Sequence, residues 1–139
     1  MRIDSPNRSS QVRGVMKPNF DPVAVVQRQL EAFNAQDIEA LLAAYANNAE
    51  MFEHPSTLLA RGTEQLRTRF TARFLEPNLH AALLHRAVAG NKVMDHELVT
   101  RTFPEGPGTI ELIMIYEVVE DRIARAWSIA GEKNLHERG

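Results

Sequence analysis

The chain has 139 residues, a length that suits one domain able to bury a core without covalent staples. It has no cysteine, which excludes disulfides and thiolate metal sites. Sixteen Lys+Arg against eighteen Asp+Glu leave a net charge of −2, so no field attracts nucleic acid or an anionic membrane. No apolar run approaches the ~20 residues of a membrane span, and no apolar leader follows Met1, which points to a cytoplasmic protein.

Residues 1–20 are polar and broken by Pro6, Gly14 and Pro18, and read as a flexible N-terminal tail ahead of a domain over 21–136. Asp21-Pro22 reads as an N-cap and first helical residue. Val23, Val26, Leu30 and Phe33 then form one apolar stripe, predicting a helix over 22–34. A second short helix carries Ile38, Leu41, Leu42 and Tyr45, with Asn47-Asn48 as its end. A short strand, Glu50 to His54, is closed by Pro55. Gly62-Thr63 opens a third helix, with Leu66 and Phe70 on its buried side and Pro77 as its stop.

The period then changes to strand-like. Residues 79–89, 92–103, 109–119 and 122–129 are four extended runs, separated by Gly90-Asn91, Pro104 to Gly108 and Glu120-Asp121. Such short connectors predict an antiparallel meander, and three helices segregated from it predict an α+β fold. In the third run the even positions Ile110, Leu112, Met114, Tyr116 and Val118 should face the helices. In the last run Ala124, Ala126, Ser128 and Ala130 are small, which leaves room for a ligand or for the helices themselves. In the second run Met94, His96, Leu98 and Thr100 are taken as the inward set, with Asp95 and Glu97 solvated.

The segment VVQRQLEAFNAQDIEALLAAYANNAEMFEHP at 25–55 and the GEKNLH at 131–136 resemble ketosteroid isomerases of the NTF2-like superfamily. The stretches GNKVMDHELVT at 90–100 and IYEVVEDRIARAW at 115–127 are more similar to its SnoaL-like members. The resemblance implies an NTF2-like (cystatin-like) cone, three N-terminal helices on a curved antiparallel sheet, around a pocket for a small, mostly apolar carbonyl compound. It implies isomerase- or cyclase-type proton transfer, with a non-catalytic binding or dimerisation module as the alternative. The isomerases' own catalytic groups do not carry over. Their helical tyrosine is matched by Gln29, their base aspartate by His54, and their strand aspartate by Met114, or by Ile115 if the turn gap is placed differently. The loss of donors argues against an efficient steroid isomerase.

His54 at the base position is the candidate catalytic residue, since a neutral imidazole is a competent base near pH 7. Gln29, Phe33, His96, Leu98, Met114, Tyr116 and Ser128 are the candidate pocket residues. His80 and His85, an odd number of positions apart, should face opposite sides of their strand. The Asp-Arg-Asp set of the superfamily's epoxide hydrolases finds no inward carboxylate pair on this phase assignment. No cofactor is expected, and Glu53, His54 and His96 make a poor metal set. On the outer face Ile113, Ile115, Trp127 and Ile129, with Val93, Val99 and Ile123, suggest an apolar patch for a homodimer.

Overall fold

The computed structural model describes residues 21–136, so the tail expected over 1–20 lies outside the described residues. Helix α1 (Pro22–Ala35) starts as its sequence predicts: Asp21 accepts a hydrogen bond from the Val23 amide at 3.0 Å, and Pro22 stands at the first helical position. Gln36, left-handed at φ 57°, ends it, and Asp37 at once caps α2 (Ile38–Ala43) through the Ala40 amide. Helix α3 (Gly62–Arg73) buries Leu66 and Phe70.

Six strands form one sheet: β1 (Tyr45–Glu53), β2 (Thr57–Arg61), β3 (His80–Ala89), β4 (Lys92–Phe103), β5 (Gly106–Val119) and β6 (Arg122–Leu135). Their order is β2-β1-β6-β5-β4-β3, antiparallel throughout except for β1 beside β6. The predicted meander is therefore present as β3 to β6. Two features were not anticipated. Strand β2 pairs with β1 through a short turn, and β1 begins at Tyr45, which the helical reading had placed on α2. Tyr45 and the small residues Ala44 and Ala49 are buried, so packing overrides the helical spacing there.

Helix α1 lies on the inner face of the sheet against β3 to β6. Its Val25 and Val26 pack with Val93, Tyr116, Val118 and Ile123 in the main core. The Asn34 amide accepts from the Ala81 amide (2.8 Å) and donates to the Ala81 carbonyl (3.0 Å), which ties the helix end to edge strand β3. Phe33, Phe70 and Phe74 meet at ring separations of 5.7–6.3 Å and bridge α1 to α3.

The phase of two strands differs from the sequence expectation. On β4 the inward residues are Val93, Asp95, Glu97 and Val99, all buried, whereas Met94, His96 and Leu98 face outward. Register fixes this, because Val93, Asp95, Glu97 and Val99 stand opposite Tyr116, Met114, Leu112 and Ile110, the inward set of β5. On β6 a bulge near Val118 pairs that residue with Ile123, so Ile123 turns inward and is fully buried. Val93, Val99 and Ile123 thus leave the expected outer patch. A second bulge, between Leu83 and His85, sets His80 opposite Thr100 and His85 opposite His96. Both histidines therefore lie on the outer face, and parity alone misleads.

Candidate functional site

The helices do not fill the inner face. A cavity of about 230 Å³ remains between α1, α3 and the strands. Its walls include Leu30 and Phe33 of α1, Phe70 of α3, and Ile110, Leu112 and Met114 of β5. Ser128 and Ala130 of β6 line it as well, so the small side chains on that strand do leave space. Of the residues singled out from sequence, Gln29, Phe33, Met114, Tyr116 and Ser128 share this cavity.

The other three do not. His96 and Leu98 face outward on β4, where His96 Nε2 lies 2.7 Å from Glu111 Oε2. His54 is exposed in the turn after β1 and is not among the lining residues, while its neighbour Glu53 is. The His54 amide donates to the Ser128 carbonyl at 2.8 Å, which fixes the backbone at the cavity rim. The phase of β4 also separates Glu53 and His54 from His96. Among the described residues no three His, Cys, Asp or Glu side chains converge as metal ligands.

The polar groups that do reach the cavity come mostly from positions the sequence reading left aside. Glu97, only 4% exposed, lines it from β4. Burial pushes its carboxyl up to about 7, the neighbouring Asp95 adds to the rise, and Arg86 opposes it. The companion carboxylate Asp95 is fully buried and held by Arg86, whose Nε and Nη2 donate to its two oxygens at 2.6 and 2.9 Å. Arg86 Nη1 also donates to Gln27 Oε1 at 2.9 Å, linking the pair to α1. An inward carboxylate pair is thus present, contrary to the expectation drawn from sequence.

Two phenols stand beside Glu97. The Tyr116 hydroxyl donates to Gln29 Oε1 at 3.3 Å. The Tyr45 hydroxyl is buried and has no hydrogen-bond partner of good geometry. Burial raises the pKa of both, and the negative charge of Glu97 raises it further, so both phenols remain protonated donors. The lining thus combines one carboxyl poised near neutrality, two neutral O–H donors and an apolar wall.

Three arginines stand where the cavity opens. Arg69 and Arg73, one helical turn apart on α3, and Arg101 on β4 border both the cavity and an outer groove of about 700 Å³. Arg101 forms a two-pronged pair with Glu76, at 3.0 and 2.7 Å.

The sequence over residues 26–126 matches the model of the SnoaL-like domain. The chain belongs to the SnoaL-like family. No curated protein matches the chain. Several solved structures share its fold. An uncharacterized cystatin fold protein from Novosphingobium aromaticivorans superposes with a TM-score of 0.73 at 22% identity, over 80% of this chain and 99% of that one. A SnoaL-like protein from Burkholderia thailandensis gives 0.65 at 22% identity, over 80% and 95%. A protein with a ketosteroid isomerase-like fold from Catenulispora acidiphila, solved with trimethylamine, gives 0.65 at 15% identity, over 75% and 82%. The fold is accordingly the cystatin-like, NTF2-like one expected. Among the described residues of this SnoaL-like domain, no helix is long and apolar enough to cross a membrane.

The carboxyl of Glu97 makes stability depend on pH with a definite sign. Its folded pKa lies above the unfolded value of 4.5, so the folded state binds more protons between 4.5 and about 7. Its contribution is whole below pH 4.5 and is lost as pH rises toward about 7, at roughly 1.4 kcal/mol per pH unit. Denaturant titrations across this window should show a falling component in wild type that is absent in Glu97→Gln. Identical pH profiles would place Glu97 in water.

Proposed function

We propose that this SnoaL-like domain binds a small, mostly apolar carbonyl compound and moves a proton on it, with Glu97 as the acid–base group. The supporting observation is a carboxyl held near neutrality on the wall of an apolar cavity, beside the buried Tyr45 hydroxyl, which has no partner of good geometry. In its ionised form Glu97 takes a proton from the carbon next to the carbonyl, becoming a neutral carboxylic acid. The electron pair moves onto the carbonyl oxygen, where the Tyr45 hydroxyl can donate. Where a double bond lies β,γ to the carbonyl, Glu97 returns the proton to the γ-carbon and gives the conjugated isomer. Attack of the enolate carbon on a second carbonyl instead closes a ring, and the resulting alkoxide takes the Glu97 proton. The sequence favoured His54 for the base. Its exposed place in the turn favours Glu97 instead, because a base must come within hydrogen-bond reach of the proton it takes.

Deuterium uptake from D₂O at the α-carbon of 2-tetralone separates these assignments. Wild type should accelerate it. Glu97→Gln should lose about 100-fold or more of that acceleration, as removal of a general base does. Tyr45→Phe should lose a smaller share, and His54→Ala should stay near wild type. Loss with His54→Ala but not with Glu97→Gln would restore the histidine. No acceleration by wild type would favour a binding module.

We also propose that two copies of the domain pair through the outer face of the sheet. Ile113, Ile115, Trp127 and Ile129 are cross-strand neighbours there. Phe52 of β1 stacks on Trp127 at 5.9 Å, and Met94 and Leu98 extend the patch. One end is closed by a ladder of ion pairs, in which Arg125 meets Glu50 and Glu117 and Lys92 meets Glu117. An apolar centre beside neutralised charge suits a self-complementary interface. Sedimentation at micromolar concentration should find a dimer in wild type and a monomer in Trp127→Asp. A wild-type monomer refutes the interface, and a dimer unaffected by Trp127→Asp refutes this face.

A further inference from the structure

Among the described residues, Arg69 and Arg73 at the cavity mouth lack the two-pronged carboxylate pairing that Arg86 and Arg101 have. Arg73 comes within 3.5 Å of Glu76, but Arg101 already takes both oxygens of that carboxylate. Among the described residues, the exposed Glu53 is the carboxylate that balances Arg69. The remaining groove carboxylate, Glu64, is largely exposed and faces Arg67 at 3.8 Å. Three guanidinium groups therefore line one opening against two carboxylates, Glu76, whose oxygens Arg101 already engages, and the exposed Glu53. Each of Arg69 and Arg73 is disfavoured in its charged form by burial and by the charge of Arg101, a cost that an incoming anion would offset.

Their place along the cavity sets a length. Glu97 and Arg101 share the inner face of β4 four residues apart, roughly 13 Å along the strand. The apolar walls, Phe33, Ile110 and Leu112 among them, lie along the same cavity.

We propose that Arg69, Arg73 and Arg101 form an anion-recognition rim, and that the ligand is an apolar carbonyl compound bearing a carboxylate at the end remote from Glu97. The substrate class rests on the reading of Glu97 as the acid–base group; the rim itself does not. Charge-assisted pairing with guanidinium orients the molecule, so its carbonyl end enters first and reaches the Tyr45 hydroxyl.

Calorimetric titration with 2-naphthoate and with the neutral, nearly isosteric 2-naphthamide tests the rim without any turnover. Wild type should bind naphthoate about tenfold or more tighter than naphthamide. In the double variant Arg69→Gln/Arg73→Gln the preference should fall to within about threefold, while naphthamide affinity is kept. Retained naphthamide binding also shows that the variant's cavity is folded. In Glu97→Gln the preference for naphthoate should persist. Equal affinities in wild type, binding of neither probe, or a preference that survives the double variant would each overturn the rim. A naphthoate preference without α-proton exchange would leave the rim standing and remove the catalytic reading of Glu97.

Discussion

The two-pronged pair between Arg86 and Asp95 is the interaction on which the site depends. Asp95 is fully buried, and a carboxylate in that position is tolerable only when its oxygens are matched by donors. Arg86 on β3 supplies both donors and reaches Gln27 on α1 with its third nitrogen. The match makes it acceptable for β4 to turn its acidic positions inward. Because side chains alternate along a strand, turning Asp95 inward also turns Glu97 inward, into the cavity. Burial in that position is the main reason Glu97 stays partly protonated near neutral pH, with the Asp95 charge adding to the rise and Arg86 opposing it. One ion pair thus fixes the position of the proposed acid–base group, and burial in that position raises its pKa.

The remaining polar groups follow from packing around that strand. Tyr116 of the adjacent β5 stands opposite Val93 of β4, whereas Tyr45 enters from β1, on the far side of β6. Gln29 of α1 accepts from Tyr116 and joins helix to sheet inside the cavity. Small residues on β6 leave the volume open, and Phe33 and Phe70, in edge contact with each other, cover it. The cavity is therefore a product of residue size on one strand and of ring packing between two helices.

Much of the fold could be read from the sequence because its signals are local. Asp21-Pro22, the stripe of α1 and the Gly90-Asn91 turn each carry their structure within a few residues. The inward set of β5 was readable for the same reason, since five even positions in a row are apolar or aromatic. The site was harder to read because its deciding facts are long-range. On β4 the outward residues Met94, His96 and Leu98 look more apolar than the inward Asp95 and Glu97, and only Arg86, nine positions away from Asp95, reverses the choice. The bulges beside His85 and Val118 shift phase without any glycine to mark them. Tyr45 was hidden by helix-compatible neighbours. The one local signal that was passed over is Arg69 with Arg73, a helical turn apart on one face of α3.

A carbon-13 NMR titration of the glutamate side-chain carboxyls, with Glu97 assigned by comparison with Glu97→Gln, reads the central claim directly. The account predicts a midpoint near 7 for Glu97. A midpoint near the ordinary glutamate value of 4.5 would contradict it, because Glu97 would then be a solvated carboxylate rather than the buried group on the cavity wall.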